Sequence, residues 1–286
     1  MIRDLTLEME KVILKSVNSS FRYKARNAEG LGMELSLSNG IFSRLGLEEN
    51  FALVKQLGFG NVEFNMKSVR KESDTAVYDA EKLLTASGLK CLTLHSASLH
   101  IKDEVEVHRA VYYGKISLEF ARRLKAPIMN VHSNVSKRLP QPVRKKCLAE
   151  IFGELKRHAK SLGIKLALEN LSYTSTGFGK NVEQLEEVLS IIDDNAMGIT
   201  FDFCHALETK TTGELLEKYG RRLCNVHMAN KAHKPFTKPK PELTSFLSKL
   251  HDYGYAGPIT LELAHNTSME EIAKSKALFD KLLRQF

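Results

Sequence analysis

A four-residue pattern recurs six times along this chain: apolar, variable, apolar, then a side chain able to bind a metal or move a proton. The copies are Leu92-Thr-Leu-His95, Met129-Asn-Val-His132, Leu166-Ala-Leu-Glu169, Ile199-Thr-Phe-Asp202, Cys224-Asn-Val-His227 and Ile259-Thr-Leu-Glu262. Side chains alternate along a strand, so each polar end faces the same way as the residue two before it. One ionisable group at the tip of an apolar strand is tolerable; six in succession are costly unless they serve one site. A closed parallel barrel supplies that site, because all its strands finish at one rim. With Glu63 counted as the end of an earlier strand, successive ends at 63, 95, 132, 169, 202, 227 and 262 lie 32, 37, 37, 33, 25 and 35 residues apart. These are lengths for a strand plus a crossover helix.

The chain's 286 residues suit one such barrel of about 250 residues with an addition. No apolar run reaches the roughly 18 residues of a membrane span, and the N-terminus shows no signal-peptide core. The expectation is a cytoplasmic protein away from the membrane, with self-association left open. Cys91, Cys147, Cys204 and Cys224 form no CxxC pair and no disulfide framework, which fits a reducing compartment. The net charge of +8 matters for where it falls. Lys137, Arg138, Arg144, Lys145 and Lys146 form one run without an acid, and Lys231, Lys234, Lys238 and Lys240 form another. Each follows a strand copy and so opens on the rim. Both a solvated surface and an attraction for a phosphorylated sugar or a nucleic-acid backbone fit them.

In order, residues 1–30 lack the repeat and read as an extension outside the core, partly disordered; residues 31–286 read as one barrel. Strands are expected at 32–37 and at Asn61-Val-Glu63-Phe, then at the six copies. Helices are expected at 47–57, 78–87, 105–124, 142–162, 182–192, 213–219, 242–253 and 268–283. Gly58, Gly88, Pro127 and Gly163 stop several of them, and the apolar period switches between 2 and 3.6. The count is eight strand-helix units, an α/β (β/α)8 barrel. A doubly wound open sheet is the alternative, but it would not gather six strand ends around one point, and no Gly-rich phosphate loop follows an early strand.

Glu169, Asp202, His227 and Glu262 come from four successive strands. Three carboxylates and an imidazole suit Mn²⁺, Zn²⁺, Co²⁺ or Mg²⁺ with positions left for substrate oxygens or water. Unpaired, the carboxylates would repel one another, and a divalent cation relieves that. His95 and His132, on the two preceding strands, either hold a second metal with Glu169 as the bridge or bind substrate hydroxyls. His205, three residues past Asp202, belongs near the rim.

The motifs Leu-Glu169-Asn, Phe-Asp202-Phe-Cys-His205-Ala, Val-His227-Met and Leu-Glu262-Leu, with the closing Tyr253-Gly-Tyr-Ala-Gly-Pro-Ile-Thr-Leu-Glu262, resemble the xylose-isomerase-like TIM-barrel superfamily over about residues 31–286. Its members include sugar isomerases, ketose 3-epimerases, inosose-processing enzymes and the metal-dependent apurinic/apyrimidinic endonuclease IV. The resemblance to the epimerases implies one metal on Glu169, Asp202, His227 and Glu262. Glu169 and Glu262 would then exchange a substrate proton through a metal-stabilised enediolate. Glu63 and His205 would bind substrate, and Lys231, His233 and Lys234 would meet its polar or charged groups. The resemblance to the endonuclease implies a zinc phosphodiesterase acting on abasic DNA. There His95, His132 and Glu169 match a first metal site, and Glu169, Asp202, His227 and Glu262 a second. His205 matches one ligand of a third, which also needs Asp-x-His. Lys231-Ala-His233 has a lysine at the aspartate position, on a loop that reads as too short. A barrel that only binds its ligand is the non-enzymatic alternative.

Overall fold

A computed structural model describes residues 32–69, 74–192 and 197–286. The expected N-terminal extension, residues 1–30, lies outside the described residues. Eight parallel strands close into a barrel in chain order: β1 (Glu34–Ser38), β2 (Asn61–Asn65), β3 (Lys90–His95), β4 (Ile128–Val131), β5 (Lys165–Glu169), β6 (Gly198–Asp202), β7 (Leu223–Met228) and β8 (Pro258–Leu261). Pairing of β1 with β8, Leu35 opposite Ile259, closes the ring. Between the strands run α1 (Leu47–Gln56), α2 (Asp74–Ser87), α3 (Val107–Arg123), α4 (Gln141–Leu162), α5 (Val182–Ile192), α6 (Phe203–Thr209), α7 (Thr212–Tyr219) and α8 (Pro241–Asp252), with α9 (Met269–Leu283) closing the chain. The expected helices are all present within a few residues of their bounds. The unforeseen one is α6. It starts directly on Asp202, whose Oδ1 caps it by accepting from the His205 amide at 2.7 Å, so strand end and helix start coincide and leave no loop for a sequence pattern to show.

The repeat divides the barrel into an outer and an inner surface. Its apolar members, among them Leu94, Met129, Val131, Leu168, Phe201, Val226 and Leu261, are buried in the layer that the helices cover. The residue between them points inward. Ser36, Glu63, Thr93, Asn130, Thr200, Asn225 and Thr260 are all buried at 0 % exposure, and several bond across the lumen instead of along the wall. Asn130 on β4 donates from Nδ2 to Glu63 Oε2 on β2 at 2.8 Å, and Asn225 on β7 donates to Asn130 Oδ1 at 3.3 Å. Thr200 Oγ1 donates to the same Asn130 oxygen, while Ser36 and Thr260 pair at 2.8 Å. Barrel interiors are usually filled by branched aliphatic layers. Here the layer below the rim is a hydrogen-bonded polar plug whose members bond one another, with Glu63 Oε1 buried and making no hydrogen bond.

Two register slips tune the rim. Between β2 and β3, Val62 faces Cys91 but Glu63 faces Thr93. Between β6 and β7, Ile199 faces Leu223 but Thr200 faces Asn225, which sets Asp202 directly opposite His227. Without the second slip these two side chains would be out of step. Strand irregularities of this kind often re-aim side chains beside functional sites. Burial pushes the Cys91 and Cys204 thiols up to about 12, so neither is a nucleophile at neutral pH.

The slip leaves Cys224 unpaired, with Sγ lying where a Cβ on Gly198 would stand. Replacing Gly198 by Ala is therefore expected to cost about 1–3 kcal/mol of overpacking, read as a lower urea midpoint. Adding Cys224→Ala should recover most of it. A single variant with an unchanged midpoint would contradict this account of the slip.

Candidate metal centre

The rim brings together donors from six strands. Glu169 ends β5 and is buried, and its two oxygens face different neighbours. Oε2 lies 3.1 Å from His132 Nε2 and 3.6 Å from His95 Nε2. Oε1 lies 3.4 Å from His227 Nδ1 and 3.7 Å from His205 Nδ1. His227 Nδ1 is also 3.0 Å from Glu262 Oε2 and 3.7 Å from Asp202 Oδ2. The His95 ring stands edge-on to His132, with centroids 5.0 Å apart, and stacks on His227 at 5.8 Å. Within the wall, Asn170 ties β5 to β6: its Oδ1 accepts from the Asp202 amide at 2.8 Å, its Nδ2 donates to the Asp202 carbonyl at 3.0 Å, and its own carbonyl faces His205 Nδ1 at 2.9 Å.

The donor atoms fall into three groups, each with all its atoms within 4.8 Å of one another: Glu169, Asp202, His227 and Glu262; His95, His132 and Glu169; and Asp202, His205 and His233. Both oxygens of Glu169, Asp202 Oδ2, His227 Nδ1 and His132 Nε2 are buried and make no hydrogen bond. Buried polar atoms without partners are rare and expensive, at roughly 1–3 kcal/mol each, yet here five of them meet at one place. A cation would satisfy them. With bonds near 2.1 Å, neighbouring donors in one coordination sphere lie about 3.0–4.2 Å apart, and the separations around His227 Nδ1 fall inside that window. The donor set fits a divalent ion of the Zn²⁺, Mn²⁺, Co²⁺ or Mg²⁺ class, and the shared Glu169 fits a second ion beside it.

Electrostatics point the same way. Burial opposes the charge on Glu169, but the imidazoles of His132 and His227 outweigh it and hold the carboxyl well below its ordinary range. Burial likewise opposes the charge on Glu262, and His227 holds it well below that range. For His227 burial favours the neutral ring, yet Glu63, Glu169 and Glu262 together raise it well above the usual imidazole value. His95 is lowered, chiefly by burial. The pocket therefore seeks positive charge, as a proton or as a metal ion.

Several residues stand where the sequence did not put them. Glu63, expected to meet substrate, lies one layer below the rim, 0 % exposed, with Oε2 2.9 Å from His227 Nε2. Strand β2 runs on to Asn65, which is the residue level with His95. His233, expected on too short a loop, does reach the site: its Nε2 is 3.3 Å from His205 Nε2, and its Nδ1 faces the Glu262 carbonyl at 3.0 Å. The chain closes the distance by placing Ala232 and His233 in the left-handed region, at φ 58° and 51°, at about 1–2 kcal/mol each. Bonds from the Ala232 amide to Glu208 and from the Ala264 amide to the His233 carbonyl hold the turn. Lys231 and Lys234 are exposed beside it. In the other basic run, Arg144 lies against Phe178 and pairs with Glu187 at 3.0 Å, and Lys146 pairs with Glu104, so two of its five charges have structural partners. Asn130, Asn225 and Asn170 carry the site from below and beside it; the polar residue inside five of the six copies was the signal for such a layer.

A family model described as a xylose isomerase-like TIM barrel matches residues 51–282. An uncharacterised protein of Methanocaldococcus jannaschii is 29 % identical over 140 residues, covering 46 % of this chain and 47 % of its own; the match spans about half the length of the curated relatives. Among solved structures, a D-tagatose 3-epimerase-like protein superposes with a TM-score of 0.74 at 21 % identity, over 88 % of this chain and 98 % of its own. The IOLI protein with a bound zinc atom superposes with a TM-score of 0.70 at 18 % identity, over 89 % and 99 %. At these identities the structural likeness establishes the fold.

To serve as a ligand through Nδ1, His227, whose ring is raised well above the usual imidazole value, must release a proton there, so affinity for Zn²⁺ is expected to rise with pH until that proton is lost. Chelator competition at several pH values reads this, and a flat profile would remove His227 from the ligand set. In the same assay Glu169→Gln is expected to weaken the ions of both groups that share it, and His132→Ala only one of them.

Proposed function

The chain belongs to the xylose isomerase-like TIM barrel family, and on that premise we propose that it is a divalent-metal-dependent isomerase or epimerase of a sugar or sugar phosphate. The observation that carries the reading is the placement of two glutamates in one donor group. Glu169 from β5 and Glu262 after β8 both approach His227 Nδ1, at 3.4 and 3.0 Å. A substrate carbon between them would meet one carboxylate on each face. One glutamate takes the proton from a carbon next to a carbonyl, and the other returns a proton to the opposite face, inverting that centre. A divalent ion held by Glu169, Asp202, His227 and Glu262 would supply the positive charge that lowers the cost of the developing oxyanion. His132, with a side chain 24 % exposed, and His205 lie beside this position and are suited to substrate hydroxyls. Lys231 and Lys234 are suited to a phosphate or carboxylate at the substrate's far end. The D-tagatose 3-epimerase-like neighbour supports this class of chemistry.

One observation favours a second reading, a zinc phosphodiesterase acting on abasic DNA. The three donor groups share Glu169 and Asp202, an arrangement able to hold more than one ion, which would activate water against a phosphodiester. Lys231 in place of a carboxylate weakens the third group for that purpose. Among the described residues no helix is long and apolar enough to cross a membrane.

Glu169→Gln and Glu262→Gln are each expected to lower turnover of a ketose or its phosphate by about 10²–10⁴-fold, with unfolding midpoints in chelator unchanged. Solvent deuterium should appear at the inverted carbon in the wild type alone. Near-normal rates in either variant would contradict the two-glutamate reading. Salt-sensitive binding and cleavage of abasic duplex DNA, with no sugar turned over, would replace it by the second.

A further inference from the structure

We infer that Glu63 is the positioning residue of the metal centre: its buried carboxylate holds the Nε2 proton of His227 and so commits Nδ1, the other ring nitrogen, to the rim. This rests on the reading of Glu169, Asp202, His227 and Glu262 as metal ligands. The two nitrogens of His227 see opposite worlds. Nδ1 makes no hydrogen bond and faces Glu169, Asp202 and Glu262. Nε2 points down into the polar plug, 2.9 Å from Glu63 Oε2 and 2.8 Å from Asn130 Nδ2. Lone pairs do not face each other at that distance, so a proton lies between Nε2 and Oε2.

The surrounding bonds decide which atom carries it. Glu63 Oε2 accepts from Thr93 Oγ1 at 2.8 Å, from Asn130 Nδ2 at 2.8 Å and from Asn225 Nδ2 at 3.4 Å. An oxygen that collects this many donors is the anionic acceptor, and the proton belongs to the imidazole. The amide of Asn130 cannot turn over to compete, because its Oδ1 is engaged by Thr200 Oγ1 and Asn225 Nδ2. Its Nδ2 is thereby fixed on the carboxylate, from where it also stands 2.8 Å from Nε2. Residues from β2, β3, β4, β6 and β7 thus cooperate to present one carboxylate oxygen to one ring nitrogen. A carboxylate behind a ligating histidine makes the ring a more basic ligand and removes its freedom to flip. Losing such a partner typically weakens metal binding 10–100-fold.

A plug residue that merely filled the lumen would bond within its own layer and be replaceable by any acceptor. Glu63 bonds within its layer to Thr93, Asn130 and Asn225, and the same oxygen also reaches the ring of a rim ligand at 2.9 Å.

The test combines a spectroscopic reading of the wild type with two variants. In zinc-loaded protein with ¹⁵N-labelled histidine, His227 is expected to carry a slowly exchanging proton on Nε2 and to show Nδ1 shifted by the metal. Glu63→Gln keeps an oxygen for that proton and loses the charge, so zinc affinity by chelator competition should fall about 10–100-fold. Glu63→Leu loses both and should fall further, with the Nε2 proton exchanging freely. Unfolding in chelator separates these effects from loss of the fold, and the wild-type spectrum needs no variant to fold. An unprotonated Nε2 in the wild type, or variants that bind zinc as the wild type does, would overturn the inference alone. Wild-type protein that binds no zinc or manganese at all would overturn it together with the metal centre.

Discussion

Crowding of negative charge at the barrel rim is the constraint that the rest of the structure answers to. Glu169, Asp202 and Glu262 bring their carboxylates to within a few ångströms of one another and of His227, most of them out of reach of water. Like charges that close can be kept ionised only by positive charge between them. The fold provides part of it through the imidazole of His227, which, against its burial, Glu63, Glu169 and Glu262 raise well above its usual value. Everything near the rim is arranged to keep those atoms from finding cheaper partners. Asp202 gives one oxygen to the start of α6 and keeps the other bare. Asn170 locks the neighbouring backbone. The slip between β6 and β7 sets Asp202 level with His227. Ala232 and His233 accept a strained backbone so that His233 can face His205. Stability lost at such positions is a usual sign that the arrangement is needed.

The polar plug beneath the rim gives this crowding its depth. An aliphatic lumen would leave Nε2 of His227 without a partner and the ring free to turn. Instead the plug runs from Ser36 and Thr260 through Asn225 and Asn130 to Glu63, and its members orient one another. Such a network is stable when complete and costly when broken, which ties the integrity of the barrel interior to the geometry of the site above it.

Much of this was legible in the chain itself. The repeated strand ending announced both the barrel and the ring of donors, because a period of two leaves no other place for six polar ends. Glu63 was misjudged by one layer: a carboxylate near the end of a short strand reads as a rim residue when the strand is taken to stop at Phe64 rather than at Asn65. His233 was expected to meet substrate, but its loop was read as too short for a third metal group, because reach was judged from residue count and not from the two left-handed residues, Ala232 and His233, that turn it. The register slips could not be read at all, since skipping Cys224 or Leu92 in the pairing changes no spacing between strand ends. The plug lay in view, as Thr93, Asn130, Thr200, Asn225 and Thr260 at the variable position of the repeat, but a run of small polar residues acquires meaning only once the lumen that they share is known.

Anomalous X-ray diffraction from crystals grown with Zn²⁺ or Mn²⁺ tests the central claim most directly, because it locates the ion and its ligands together. The account predicts a peak within about 2.0–2.3 Å of oxygens of Glu169, Asp202 and Glu262 and of His227 Nδ1. A rim without a peak, its carboxylates joined only by water and hydrogen bonds, would contradict it.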